Sequence, residues 1–171
     1  MDIPEAIKNR RSIRRFLKKE IPPDAVDALK DALIWAPSAG NLQSRHFYFV
    51  FNQDKKESIV RAALGQRFIA EAPLCVVACA DYSIEKDYGK RGTELYMLQD
   101  VAASVQNFML LAHGKGLGCA WVGAFNEEEV SEILGIPDNL RPVAIVPVGY
   151  PDEKPAPPPR DSKDKAVEEI R

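Results

Sequence analysis

Three residues near the start of the chain carry its clearest chemistry. Arg10, Ser12 and Arg14 are spaced by two, so in an extended segment they share one side. Two guanidinium groups flanking a hydroxyl make a phosphate receptor, because the guanidinium fork matches the geometry of phosphate oxygens. Ile13 then points the other way, into a core, and Arg11 adjoins the group. The run from Lys8 to Lys19 holds seven basic residues and no acid, which leaves the rest of the chain at −9 when taken from the formal net charge of −2. A phosphate site and a solvated basic face both fit this spacing.

A second candidate follows Pro37, where Ser38-Ala39-Gly40-Asn41 is built of turn-forming residues. Other reactive constellations are missing. The sequence has no GxGxxG, no Walker loop and no HExxH. His46 and His113 are its only histidines, and neither has a partner at metal-ligand spacing. His113 is expected to cap a helix end or reach solvent. Cys75 and Cys79 fall on one face of a strand and read as small core residues, as does Cys119. Glu127, Glu128 and Glu129 suit the first turn of a helix. With no side-chain triad or dyad, any catalysis here rests on a bound cofactor.

The elements that must position these groups are mixed. Ile3 to Arg10 reads as a short helix, with Asp2 as N-cap and Pro4 early in it. Pro22-Pro23-Asp24 opens a helix to about Ala36, whose stripe is Ala25, Leu29, Ala32, Leu33 and Ala36; Pro37 stops it. His46 to Phe51 is a predicted strand. Asp54 to Leu64 and Gln66 to Glu71 are predicted helices. Leu74 to Ala80 is nearly all apolar, a central strand buried on both faces. Asp81 to Gly92 is polar and reads as a mobile surface loop, or as a lid. Thr93 to Lys115 gives the strongest helical signal, with Leu98, Val101, Ala102, Val105, Phe108, Met109 and Ala112 on one face. Gly116 and Gly118 close it. Cys119 to Phe125 is a short predicted strand, Glu127 to Leu134 a helix, and Val143 to Val148 a strand. Five prolines between Pro151 and Pro159 keep that piece extended. Arg160 to Arg171 is a charged tail, helix or arm. Without strict βαβ alternation the pattern argues α+β, a sheet covered by helices.

At 171 residues and 19.0 kDa, the chain suits one domain, residues 1–171, with 151–171 as an extended C-terminal arm. Hydrophobic residues at 46% and charged residues at 28% exclude a wholly disordered or coiled-coil chain. A net charge near zero argues against a nucleic-acid partner. Three cysteines form no disulfide framework and favour a reducing compartment. No apolar run approaches the ~18 residues that span a bilayer. The basic N-terminus lacks the apolar stretch of a secretory signal. The expectation is a cytoplasmic protein without a membrane partner.

Five segments, in order, resemble the nitroreductase family of FMN flavoproteins. They are Arg10-Arg11-Ser12-Ile13-Arg14-Arg15-Phe16; Ala36-Pro37-Ser38-Ala39-Gly40-Asn41-Leu42-Gln43; Ala72-Pro73 before a buried strand; Gly116 to Phe125; and Gly149-Tyr150-Pro151-Asp152-Glu153-Lys154-Pro155 through Arg160. The resemblance implies a mostly antiparallel central sheet flanked by helices, in a homodimer with flavin sites at the interface. It implies that Arg10, Arg11, Ser12, Arg14 and Arg160 hold the FMN phosphate. Pro37, Ser38, Asn41 and Gln43 would contact the flavin from the partner subunit. Val122, Gly123 and Ala124 would run beside the ring, with a backbone N–H aimed at N5, and Gln66 would touch the pyrimidine edge. The implied function is ping-pong hydride transfer from NADH or NADPH through FMN to a nitroaromatic, quinone or similar small-molecule acceptor. The alternatives are a non-catalytic flavin-binding protein, or a relative with another flavin reaction such as dehalogenation or flavin cleavage. Ser44-Arg45 departs from the family's frequent Pro-Trp, so contacts there differ, and the long helix is the candidate dimer helix.

Overall fold

The computed structural model describes residues 2–171. Its frame is α+β. A sheet of four strands, β1 (Arg45–Val50), β2 (Leu74–Asp81), β3 (Gly118–Cys119) and β4 (Leu140–Gly149), runs in the order β1-β2-β4-β3, with every neighbour antiparallel. The strand alternation of β2 divides the interior. Leu74, Val76, Ala78 and Ala80 face a core completed by helix α2 (Pro23–Ile34) and helix α6 (Met97–Gly114). Cys75, Val77 and Cys79 face a second core, formed with α3 (Gln53–Ala62), α4 (Phe68–Glu71) and α7 (Glu127–Leu134). The central strand is thus buried on both sides, as its composition requires.

Helix ends follow the sequence. Asp2 accepts the Glu5 N–H at 2.8 Å and Glu5 returns to the Asp2 N–H, a capping box that opens α1 (Ile3–Asn9). Asn126 accepts the N–H groups of Glu128 and Glu129 and opens α7. Buried Lys56, on α3, donates to the Ala72 carbonyl at 2.6 Å and fixes the entry to β2.

Three expectations are corrected. Residues 81–92 are not a loop. Asp81 caps the Ser83 N–H at 2.8 Å, a 3-10 turn (Tyr82–Ile84) leads into α5 (Glu85–Arg91), and a π-helical turn (Gly92–Tyr96) joins α5 to α6. Their polarity is that of an exposed helix anchored by buried Ile84, and Gly89 at φ 53° makes the bend. The strand expected over Cys119 to Phe125 is only Gly118–Cys119 plus one bridge, Val122 to Ile145; between them the chain leaves the ladder. On α6 the buried face includes Asp100 and Ser104, whereas Ala102 is exposed. After β4 the chain stays irregular through the prolines, and the tail adds one turn, α8 (Lys163–Ala166).

Candidate functional site

Residues 12–17 run along the outer edge of β3 and the end of β4. Ser12 makes a parallel bridge with Cys119, and the Ile13 N–H donates to the Cys119 carbonyl at 3.0 Å. Phe16 bridges Pro151, and the Leu17 N–H donates to Tyr150 at 2.9 Å. Buried Ile13 lies so close to Gly118 that a Cβ there would sit 2.5 Å from its Cγ1. Only glycine permits that approach. With Ile13 turned inward, the alternate residues Ser12 and Arg14 turn the other way.

The arm then closes over this segment. Glu153 accepts the N–H groups of Arg14 at 2.5 Å and Arg15 at 3.1 Å, and the Asp152 N–H donates to the Arg15 carbonyl at 2.9 Å. This brings Arg160 to a pocket of about 260 Å³ lined also by Arg10, Arg11, Ser12 and Arg14. No carboxylate lines it. Arg10 Nη1 is buried without a hydrogen-bond partner. An unmet buried donor on a cation is unfavourable by itself and calls for an anion. Arg11 is partly engaged elsewhere, since its Nη1 donates to the carbonyls of Lys8 and Arg10. The four remaining groups fit a phosphate in number, charge and hydrogen-bonding chemistry.

The Pro37–Gln43 loop is shaped differently. Ala39–Asn41 form one 3-10 turn, and Gly40, Asn41 and Gln43 all have positive φ, at 56°, 58° and 55°. For Asn41 and Gln43 this is strained backbone, which persists only where the surroundings hold it. Ser38 Oγ accepts the Gln43 N–H at 3.0 Å. From below, buried Asp100 accepts the Ala39 N–H at 2.9 Å with Oδ1 and the Ser44 hydroxyl at 2.6 Å with Oδ2. Arg45 donates to the carbonyls of Ile34, Ala36 and Pro37 at 2.9, 2.8 and 3.0 Å. Its guanidinium therefore closes the C-terminal end of α2 and ties the loop to it. Burial pushes Arg45 below its ordinary range, and Asp100 opposes this. Tyr88 of α5 lies against Gly40, where a Cβ would meet its hydroxyl at 2.5 Å. Segment 81–92 therefore supports this loop.

The third part is Val122 to Ala124. Val122 is buried on its bridge to Ile145, while Gly123 and Ala124 are exposed. Gln66 Nε2 donates to the carbonyls of Ala63 and Ala124, both at 3.1 Å. Gln66 thus holds this loop in place with its amide N–H groups. Sequence reasoning missed Asp100, Arg45's role and Glu153. A carboxylate at a buried position of an apolar helix was the available signal for Asp100.

Within one chain these parts do not share one pocket. Gln43 lines a separate cavity of about 590 Å³ with Lys30, Arg45, His46, Phe47 and Phe49. Among the described residues no cluster of three His, Cys, Asp or Glu side chains could hold a metal, and no helix is long and apolar enough to cross a membrane.

Comparison with known proteins gives consistent matches. The model of the nitroreductase family matches residues 7–67 and 60–150. A protein of Methanothermobacter thermautotrophicus, provisionally named NADH dehydrogenase/NAD(P)H nitroreductase, is 35% identical over 159 residues, covering 91% of this chain and 80% of its own. An FMN reductase [NAD(P)H] of Bacillus subtilis is 27% identical over 173 residues, covering 93% of this chain and 70% of its own. The crystal structure of a nitroreductase family protein from Clostridium novyi superposes with a TM-score of 0.82 at 31% identity, covering 91% of this chain and 89% of that one.

Proposed function

The chain belongs to the nitroreductase family, and from that premise we propose that it is an FMN-dependent NAD(P)H oxidoreductase acting as a cytoplasmic homodimer. The observation that carries the assignment is the buried, unpartnered Arg10 Nη1 beside a pocket lined by Ser12, Arg14 and Arg160. When bound, FMN would supply the redox chemistry that links NADH or NADPH to a nitroaromatic, quinone or similar acceptor in ping-pong order. Arg10, Ser12, Arg14 and Arg160 hold the phosphate, with Arg11 adjoining. Backbone N–H groups of Gly123 and Ala124, on a loop kept in place by Gln66 and Val122, meet the ring. No side-chain acid or base is assigned.

Pro37, Ser38, Asn41 and Gln43 reach the flavin of a second copy. Two observations support this. Gln43 of this loop lines a different cavity from the arginine cluster of its own chain. The loop is also bordered by exposed apolar residues, Trp35 at 82% and Ile34 at 56%, a surface that suits burial in an interface. Residues 1–171 form a single FMN domain, with 151–171 as the arm that completes the phosphate pocket.

An absorption spectrum of the gel-filtered protein tests this, taken before and after anaerobic NADH and then NADPH. Flavin bands that bleach and return on adding an acceptor are expected. A protein that stays colourless with FMN added refutes the proposal. The Arg160→Ala variant is expected to bind FMN about 10- to 100-fold more weakly, as for loss of one charged hydrogen bond, with riboflavin binding unchanged.

A further inference from the structure

A larger cavity of about 580 Å³ adjoins the phosphate pocket. The end of α1, the end of α6, β3 and the arm enclose it. Ile13, Leu117, Pro151 and Pro155 give it apolar walls, and Arg10 and Arg11 line both cavities. Among the described residues, two buried side-chain polar atoms lack a hydrogen-bond partner: Arg10 Nη1 and His113 Nε2. Both residues line this one cavity. His113, in the last turn of α6, therefore turns a ring nitrogen into the protein instead of out to solvent.

Two polar orphans on the lining of one cavity point to a polar ligand there, and Arg10 links this cavity to the phosphate pocket, which His113 itself does not line. The titratable and charged groups that line this cavity with His113 are Arg10 and Arg11 from the segment after α1, Cys119 from β3, and Glu153 and Lys154 from the arm. Burial first, then Arg10 and Arg11, hold the imidazole below the usual histidine range. Resting on the FMN assignment above, we propose that the anion site extends through Arg10 to His113, and that a phosphate seated on Arg10 draws a proton from solvent onto the His113 Nε2. The phosphate brings nearly two negative charges at about pH 7. It offsets the guanidinium field, which adds to burial in keeping the ring neutral, and so favours the imidazolium. The sign follows. The ring is neutral in the free protein and protonated in the loaded one, so binding takes up a proton between the two midpoints. Across that window affinity rises as pH falls, by at most about tenfold per pH unit for one linked proton.

Calorimetric titration of the full-length, flavin-free protein with FMN, in two buffers of different ionisation enthalpy, measures this uptake. At about pH 7.5 the free phosphate is already mostly dianionic and adds little of its own. Net uptake is expected for FMN, none for riboflavin, and none for His113→Gln. A second readout needs no substitution at His113. The chain has two histidines, so proton NMR resolves their rings, with His46→Gln to assign them. FMN must move the His113 midpoint upward. Binding of FMN with no proton uptake and an unmoved His113 signal overturns the proposal. Failure of FMN to bind strikes the proposed function instead. Inorganic phosphate then judges His113: a signal that shifts sustains the anion site, and one that stays refutes it.

Discussion

Replacing Asp100 by alanine tests whether the strained loop is held from beneath. Asp100 is 4% exposed, and each carboxylate oxygen has one partner in the loop, the Ala39 N–H at 2.9 Å and the Ser44 hydroxyl at 2.6 Å. A hydrogen bond to a charged acceptor contributes about 1.5–3 kcal/mol, and an abandoned buried partner is costly in its own right. Both bonds vanish in Asp100→Ala, while loop relaxation and entering water recover part of the loss, so about 3 kcal/mol remains. In a chain of this size that lowers Tm by about 6–12 °C. Asn41 and Gln43, at φ 58° and 55°, add about 1 kcal/mol of strain each, which the anchor restrains. Once it is gone, the loop leaves its shape and FMN affinity falls even where the fold is intact. Asp100→Asn keeps an acceptor for Ala39, and the Ser44 hydroxyl can turn to accept from the new amide. It is expected to lose only about 1 kcal/mol. Circular-dichroism melts and FMN fluorescence titration at 20 °C measure both effects. An Asp100→Ala protein that melts within about 2 °C of the parent, with an unchanged FMN titration, refutes the anchoring argument.

Arg45→Lys places one ammonium where a guanidinium serves three carbonyls. It should lose about 1–2 kcal/mol in chemical denaturation, and equal stability would remove Arg45 as the closure of α2. Gly118→Ala puts a Cβ 2.5 Å from Ile13 Cγ1 and 2.8 Å from its Cβ. The Arg10–Arg14 segment must shift, so calorimetry should show weakened FMN binding together with a lower Tm. Cys75, Cys79 and Cys119 are buried, and burial pushes each thiol up to about 12. A disulfide reagent at pH 8 should leave all three unmodified in the native protein and label three in denaturant; rapid native labelling would contradict their burial.

Helix starts and the central strand were legible because their causes are local. Asp2 and the apolar run of β2 announce themselves within a few residues. Segment 81–92 was misread because polarity marks exposure as much as it marks loops, and because Gly89 bends a helix there without ending it. The strand at Cys119 was overextended because its pairing depends on β4, not on its own residues. Arg10, Ser12 and Arg14 could be grouped by spacing, whereas Arg160 could not: its place depends on Glu153 reaching the Arg14 and Arg15 N–H groups across the whole chain. Asp100 acts through the Ala39 N–H and the Ser44 hydroxyl of a segment far away in the sequence, and Arg45 through carbonyls at the end of α2, and no spacing rule encodes either. His113 read as a helix cap because the cavity it faces is assembled from four separate elements.

The run of residues 12–17 also answers a different problem. An open sheet ends in unpaired N–H and C=O groups, and these can template pairing with a neighbouring molecule. On the β3 side that border is taken by Ser12 and Ile13 against Cys119, and by Phe16 and Leu17 against Tyr150 and Pro151. The covering strip carries Arg14 and Arg15, and Lys18 and Lys19 follow it directly; their like charges repel a second copy of the same strip. The stretch that offers its guanidinium groups to a phosphate is therefore also a guard against edge-to-edge aggregation. Substitutions that neutralise it would be felt in the protein's solubility as well as in its chemistry.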